Sequence, residues 1–223
     1  MLRCGFVMEQ TLGHVTHHQN LARWVAERPD IDPCWMPIAA AQADPWERMP
    51  VVRGNWSLKA SLRARDAVAR AVRSGPLDAL LFHTQTTALF SIRAMQAVPT
   101  IVSLDATPLN YDAVGQAYGH RQDNGGWLAR RKYAWNRATF REAAHLVTWC
   151  RWAKASLICD YGIDESRITV IPPGVDLDAW GRPGDSGRAR EPDKLRLLFV
   201  GGDFERKGGN TLLEAFRNGL ASI

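Results

Sequence analysis

The chain has 223 residues, a length that suits one large domain or two small ones. Hydrophobic residues make up 46% of it and charged residues 23%, as in an ordinary globular protein. The formal net charge of +5 fits an anionic substrate, a nucleic acid or an acidic membrane surface without choosing among them. No apolar run is long enough to cross a bilayer.

The cysteines and the first residues indicate a cellular setting. Four cysteines form no CxxC pair and match no zinc-binding spacing, so a reduced, cytoplasmic environment is the simplest expectation. The apolar start is too short for a secretory signal peptide, because Glu9 and Gln10 follow it.

Predicted strands and helices alternate from Leu2 to about Ile171. The predicted strands are Leu2–Met8, Ile31–Ile38, Leu77–Phe82, Pro99–Leu104, His145–Thr148 and Arg167–Ile171. The predicted helices are His14–Arg28, Ser57–Ser74, Thr84–Gln96, Trp127–Ala144 and Cys150–Tyr161. Pro33 weakens the second strand. The alternation predicts an α/β domain with a doubly wound parallel sheet.

The helix Ser57–Ser74 has a two-sided pattern. Its apolar side chains at helical spacing are Leu58, Leu62, Val68 and Val72. Its basic side chains are Lys59, Arg63, Arg65, Arg70 and Arg73. We therefore expect the apolar set to pack against the sheet and the basic set to face solvent.

Residues 195–210, LRLLFVGGDFERKGGN, form a second ordered pattern. The apolar run Leu195–Val200 predicts a buried strand, and Gly201 and Gly202 predict a tight turn after it. Thr211–Arg217 has apolar residues at helical spacing. Arg182–Asp193, before this pattern, is predicted to be a linker or surface loop.

Two adjacent cations, Arg206 and Lys207, stand between this turn and this helix. A helix N-terminus with an arginine fork and a lysine charge suits an anionic ligand such as a phosphate. A solvated basic turn after a core strand is the alternative. Neither GxxxxGK[ST] nor GxGxxG can be read here.

Ligands in open parallel sheets bind outside the carboxyl ends of the strands. Three predicted strand ends carry candidate residues: Gly13 with His14, His83, and Asp105. Each also has an ordinary structural explanation, as a turn glycine, a buried or capping histidine, and an Asx-type turn residue.

His14, His17 and His18 have the i, i+3, i+4 spacing of ligands on one helix face. No HExxH is present, and no local carboxylate completes a ligand set. We therefore expect packing or surface histidines and no metal.

Two stretches resemble family-four glycosyltransferases of the GT-B type. FVGGDFERKGG, residues 199–209, resembles the start of their C-terminal domain, where a strand ending in glycines leads to an Arg-Lys-Gly element. ITVIPPGVDLDAW, residues 168–180, resembles their interdomain segment. The motifs stand in the family's order, and the resemblance is strong from about Trp149 onward.

The resemblance implies a retaining transferase that moves a sugar from a nucleotide-sugar donor to an acceptor, with no metal or other cofactor. It assigns the donor diphosphate to Arg206 and Lys207, with Gly201 and Gly202 letting the donor approach the backbone. It places Gly13 in a glycine loop near the donor phosphates and the acceptor. This loop has one glycine where many members have two.

The resemblance also implies an acceptor side. Family members commonly have a cleft-facing histidine at the strand end where this chain has His83, and a second histidine where it has Asp105. Catalytic roles are therefore implied for His83 and Asp105, the latter as an acceptor-binding group or general base. His14 and His120 are acceptor-side candidates. If Asp105 does not take the role of the histidine that family members have at its position, His83 or His120 is the alternative.

The implied domains are an N-terminal acceptor-side Rossmann-like domain (1–175), an interdomain linker (176–194) and the first strand-helix unit of a C-terminal nucleotide-sugar-binding domain (195–223). The family's E-x(7)-E element has no match here. We therefore expect a truncated second Rossmann-like domain and little transfer by these residues alone. The alternatives are a non-catalytic nucleotide- or glycan-binding module and a nucleotide-sugar epimerase of GT-B shape.

The expected partners are a nucleotide-sugar donor and a glycan, lipid-linked or small-molecule acceptor. Residues 127–154 interleave aromatic and basic side chains, which fits a peripheral contact with the inner face of a membrane. Core aromatics beside solvated charges are the commoner explanation. No nucleic-acid-binding motif is present.

Overall fold

The computed structural model describes residues 1–11, 13–115, 126–177 and 197–220. The chain divides into two compact units, Met1–Ala113 with Gln122–Val175, and Val114–Arg121 with Asp176–Ile223. His120 and the predicted loop Arg182–Asp193 lie outside the described residues. The predicted domain boundaries stay a prediction.

Strands and helices alternate through the first unit. The strands are β1 (Leu2–Gln10), β2 (Ile31–Ala39), β3 (Ala79–His83), β4 (Thr100–Leu104), β5 (His145–Thr148) and β6 (Ile168–Val170). The helices up to residue 159 are α1 (His14–Ala26), α2 (Pro50–Arg53), α3 (Trp56–Arg73), α4 (Gln85–Ala88), α5 (Ile92–Ala97), α6 (Pro108–Val114), α7 (Trp127–Glu142) and α8 (Arg151–Cys159). Among the described helices, none is long and apolar enough to span a bilayer.

The six strands form one parallel sheet in the order β2-β1-β3-β4-β5-β6. This confirms the doubly wound parallel sheet predicted from the alternation. The chain steps from β1 outward to β2 and then returns to the other side of β1 at β3, so the strand order reverses there. The ligand crevice of such a sheet lies at this switch point, outside the carboxyl ends of β1 and β3.

Apolar side chains cover both faces of the sheet. Val7 and Phe82 belong to a large buried cluster that includes Phe140 of α7. Phe6, the neighbour of Val7 in the strand, packs in a second cluster with Val25 of α1. Successive strand residues point to opposite faces, so helices on both sides are needed to bury them.

β2 tolerates prolines because it is the edge strand. The Leu2 N–H donates to the Asp30 carbonyl at 2.7 Å. Since parallel ladders use alternate residues, the even-numbered residues of β2 bond to β1 and the odd-numbered ones point their N–H groups outward. Pro33 and Pro37 occupy outward positions, so the ladder loses no hydrogen bond.

Arg63 of α3 is buried, which corrects the predicted exposed basic face. Its side chain is 3% exposed and donates to the carboxylates of Asp44 and Glu47. It also donates to the carbonyl oxygens of residues 39, 40 and 42. The end of β2 and the loop after it therefore supply every hydrogen-bond acceptor that a buried guanidinium requires. The sequence pattern of the helix alone did not show that Arg63 is buried.

The apolar face predicted for α3 is confirmed at Val68, which is 2% exposed, but wrong at Val72. Val72 is 45% exposed, whereas Ala60 and Ala64 are completely buried. Small side chains on the inner face let the helix lie close to the sheet. The size of the buried residues, and not only their polarity, therefore sets which face turns inward.

The helix predicted at Thr84–Gln96 is divided into α4 and α5. Thr87 Oγ1 donates to the Thr84 carbonyl at 2.7 Å, a local bond by which threonine competes with a continuous helix. Between β2 and α3 the chain forms a 3-10 turn, Pro45–Arg48, followed by α2.

In the second unit the strand predicted at Leu195–Val200 is wrong for its described part. Residues 197–200 have no strand conformation, and Leu198 and Val200 are 86% and 72% exposed. No strand among the described residues pairs with this segment, and an unpaired strand has no ladder to hold it. The helix predicted after it is confirmed as α9 (Gly209–Ala215).

Candidate functional site

His14 and His83 meet at the switch point of the sheet. His83 is the last residue of β3, and His14 is the first residue of α1, just after β1. His14 Nδ1 and His83 Nε2 are 2.8 Å apart, within hydrogen-bond distance. Two candidates that are 69 residues apart in sequence are thus brought together.

Two further rings complete what we call the histidine–tryptophan cluster: His14, His17, His83 and Trp149. The Trp149 ring stacks on His83 with a centroid distance of 5.0 Å and an interplanar angle of 15°. The His17 centroid lies 4.6 Å from that of His83 and 4.9 Å from that of Trp149. Because Trp149 directly follows β5, residues from the ends of three strands form the cluster.

His83 is completely buried, and this determines its protonation. Burial lowers the pKa of His83 well below its usual value of 6.5, and the nearby His14 and His17 lower it further. In the part of the chain that the structure describes, its Nδ1 has no hydrogen bond of good geometry, although the nearby Ser103 backbone favours the protonated form and so raises the pKa. His83 is therefore neutral near pH 7 and supports His14, which is only partly buried.

The histidines of α1 have different partners. His14 Nδ1 and His83 Nε2 share a direct hydrogen bond. His18 turns away to Gln10 Nε2, 3.0 Å from its Nδ1, and to the Trp35 ring. In the described ranges, no three His, Cys, Asp or Glu side chains are arranged to hold a metal ion.

Glu9 is a buried carboxylate beside the cluster that the sequence analysis missed. Its Oε2 accepts from Thr84 Oγ1 at 2.6 Å. Its Oε1 accepts from Thr11 Oγ1 at 2.6 Å and from Trp56 Nε1 at 3.2 Å. Glu9 therefore joins the segments after β1 and β3 to the start of α3. It lies near the end of β1, so the strand-end rule could have found it.

Asp105 directly follows β4 and forms a local turn. Its Oδ1 accepts from the N–H of the next residue, Ala106, at 2.9 Å. The next residues are anchored, because Thr107 is completely buried and its Oγ1 lies 2.7 Å from Ser156 Oγ. Within the described residues no hydrogen bond links Asp105 to the cluster, and its catalytic role stays a prediction.

Gly13 precedes α1 with a helical backbone, φ −67° and ψ −12°. A side chain at this position would meet no described atom within 4 Å. Neither backbone conformation nor packing therefore requires glycine here. An open position beside His14 leaves room for a ligand to approach the backbone.

We expect Gly13→Ala to weaken ligand binding at the cluster without lowering stability. The new methyl group fits the backbone, so the melting temperature should change by less than about 2 °C. Gly54→Ala is the matched control, because Gly54 has a similar backbone and equally open surroundings. Calorimetric titration measures the ligand affinity of the two variants, and thermal unfolding measures their melting temperatures. Equal binding by both would show that no ligand approaches Gly13.

The predicted donor element has an internal ion pair. Arg206 Nε donates to Asp203 Oδ2 at 3.0 Å, and the Arg206 N–H donates to Oδ1 at 3.1 Å. These backbone and side-chain hydrogen bonds from Arg206 lower the pKa of the Asp203 carboxyl. Asp203 was not among the predicted site residues, although an aspartate three residues before the arginine indicates such a turn.

The glycines of this element have different surroundings. A side chain on Gly201 would lie 3.3 Å from Lys207 Cβ, whereas one on Gly202 would meet nothing within 4 Å. Gly208 has a left-handed conformation, with φ +84°. Gly201 therefore lets the chain pack against Lys207, and Gly208 lets it turn into α9. The diphosphate role of these residues stays a prediction.

Two of the proteins to which this chain is similar are named as D-inositol 3-phosphate glycosyltransferases. D-inositol 3-phosphate glycosyltransferase 2 of Catenulispora acidiphila is 44% identical over 66 residues, which are 27% of this chain and 15% of that protein. D-inositol 3-phosphate glycosyltransferase of Geodermatophilus obscurus is 41% identical over 85 residues, 36% of this chain and 19% of that protein. The matched stretches thus span less than a fifth of either relative.

Solved structures give a weaker likeness. The crystal structure of the glycotransferase of kitacinnamycin has a TM-score of 0.49 and 17% identity, covering 86% of this chain and 55% of that chain. A ugt transferase from Siraitia grosvenorii in complex with UDP has a TM-score of 0.45 and 12% identity, covering 98% and 56%. The family is shown by sequence: the glycosyl transferase 4-like domain matches residues 12–174. This match covers most of the chain, and the chain belongs to the glycosyl transferase 4-like family.

Proposed function

We propose that this chain serves a retaining glycosyltransferase, in which the first unit binds the acceptor and residues 199–209 bind the donor diphosphate. The observation that carries the proposal is the contact between His14 and His83 at the switch point, inside the family's domain. Parallel sheets of this kind bind their ligands there.

We assign a separate role to each of the predicted site residues. Neutral, buried His83 fixes the orientation of the His14 ring through their hydrogen bond. His14 then interacts with the acceptor or the transferred sugar, while Asp105 binds an acceptor hydroxyl or takes its proton. Arg206 and Lys207 neutralise the charge that develops on the departing diphosphate, so the reaction needs no metal.

The substrates follow from the family and its named members. The donor is a nucleotide sugar, and the acceptor is a glycan, a lipid-linked molecule or a small molecule in a cytoplasmic setting. Because the relatives are named for D-inositol 3-phosphate, this compound is the first small-molecule acceptor to test. Its phosphate would suit the positive net charge.

Isothermal titration with UDP and with GDP tests the donor element. We expect one of them to bind, and Arg206→Ala and Lys207→Ala each to weaken that binding about tenfold or more, because each removes a charged phosphate contact. Arg217→Ala is the control, since Arg217 is an exposed cation in the same unit outside the motif. Unchanged affinity in both test variants would contradict the assignment.

A further inference from the structure

Helix α7 exposes large aromatic side chains that ordinary packing would bury. Trp127, Leu128 and Trp135 are 66%, 49% and 39% exposed. On the inner side of the same helix, Asn136 and Thr139 are 8% and 0% exposed. The inner side also buries Phe140, which is 0% exposed, so α7 packs on the core and in addition leaves two tryptophans and a leucine on its outer side.

A helical projection places the exposed residues on one continuous surface. Trp127, Arg131 and Trp135 follow one another at intervals of four residues, so they lie within about 80° of arc. Leu128 lies at the border of this arc. We call Trp127, Leu128, Arg131 and Trp135 the α7 face.

Arg131 holds the two tryptophans of the face together. Its guanidinium carbon lies 6.0 Å from the Trp127 ring centroid and 5.5 Å from that of Trp135. The Trp135 ring also makes an edge contact with Phe90, at a centroid distance of 6.0 Å. Such contacts orient the rings at the surface and bring a cation between them.

The charge of α7 indicates what covers this face. The helix contains five cations, Arg130, Arg131, Lys132, Arg137 and Arg141, and one carboxylate, Glu142, in its last position. The Glu142 Oε2 accepts from Gln96 Nε2 at 3.2 Å, on the side toward α5. Arg137 is partly buried, and its Nε donates to the Tyr161 carbonyl at 3.0 Å. The other four cations, with the apolar aromatic centre and no carboxylate before the last residue of α7, complement an anionic lipid surface.

We propose that the α7 face docks the protein on an anionic lipid bilayer, with the tryptophan rings at headgroup depth. Tryptophan combines a large apolar ring with an N–H donor, which suits the boundary between headgroups and acyl chains. The cations add attraction to anionic headgroups. Docking does not depend on the proposed function, because it requires neither donor nor acceptor.

Co-sedimentation of the full chain with vesicles tests the docking. We expect binding to vesicles of phosphatidylcholine with phosphatidylglycerol, little binding to phosphatidylcholine alone, and loss of binding in high salt. Trp127→Ala/Trp135→Ala should abolish binding, and Arg131→Gln should weaken it about fivefold. Trp24→Ala is the matched control, since Trp24 is 59% exposed on α1.

Thermal unfolding of each variant separates loss of docking from loss of fold. Quenching of tryptophan fluorescence by brominated lipid, measured on the unchanged protein, gives a readout that needs no variant. Two outcomes overturn the proposal: no anionic-vesicle binding by the unchanged protein, or equal binding by the double variant and Trp24→Ala. Self-association abolished by Trp127→Ala/Trp135→Ala without vesicle binding would assign the face to a second copy and also overturn it.

Discussion

Arg63→Met lowers the free energy of unfolding by about 3–4 kcal/mol, because it leaves the Asp44 carboxylate facing an apolar side chain, whereas Glu47 keeps its ion pair with Lys59. Arg63 bonds to both Asp44 and Glu47, and its side chain is 3% exposed. Burial alone would raise the pKa of the Asp44 carboxyl, and the hydrogen bond and charge of Arg63 outweigh it, so the pKa is lowered. Methionine fills the volume but offers neither donor nor charge.

Thermal and denaturant unfolding of Arg63→Met measure this loss, and we expect the melting temperature to fall by about 10 °C. Arg70→Met is the control, because Arg70 is an exposed arginine on the same helix. A change of less than about 1 kcal/mol in Arg63→Met would mean that the guanidinium does not hold the loop after β2.

Acid weakens the fold through the histidine–tryptophan cluster. Burial lowers the folded-state pKa values of His83 and His17 below their usual 6.5. As the pH falls through that value, the unfolded chain takes up protons that the folded chain does not. The free energy of unfolding therefore decreases from about pH 7 downward, by up to about 1.4 kcal/mol per pH unit for each histidine.

Denaturant unfolding at about pH 7.5 and pH 5.5 measures this slope. We expect His83→Gln to flatten it, because glutamine retains a hydrogen bond to His14 but does not titrate. His145→Gln is the control. His145 begins β5, at the amino end of the strands and not at the carboxyl end where the cluster lies, and its Nε2 lies 2.8 Å from Thr169 Oγ1. If the free energy of unfolding changes equally with pH in both variants, groups other than His83 cause the acid sensitivity.

The parallel sheet could be predicted because it depends on local pattern. Apolar runs, glycine turns and helical spacing recur along residues 2–171 in register with the observed elements. Arg63 could not be placed in this way. Its partners lie in the loop before the helix, and the local spacing of α3 does not distinguish an arginine that faces solvent from one that faces Asp44 and Glu47.

A site residue could be predicted from the sequence when its position after a single predicted strand was enough to identify it. His14, His83 and Asp105 follow this rule, and two of them are in contact. Glu9 and Trp149 obey the same rule but look like ordinary strand and helix residues in the sequence. Which strand ends meet depends on the strand order, and that order comes from tertiary packing.

The segment after residue 196 shows a different limit. The apolar letters of Leu197–Val200 are those of a strand, yet a strand exists only where a neighbour completes its hydrogen bonds. The turn around Arg206 forms without such help, because Asp203 supplies its bonds locally. Local hydrogen bonds therefore suffice for the turn around Arg206, whereas a strand at residues 197–200 would need a neighbouring strand.

We propose that the donor or the acceptor of sugar transfer binds beside His14 at the switch point. Nuclear magnetic resonance of labelled histidine rings, titrated with UDP, GDP and D-inositol 3-phosphate, tests it most directly. The account predicts that at least one ligand shifts the His14 ring signals, that those of His145 stay unchanged, and that Gly13→Ala weakens the response. Unchanged His14 signals with every ligand, in a chain that is folded, would contradict it.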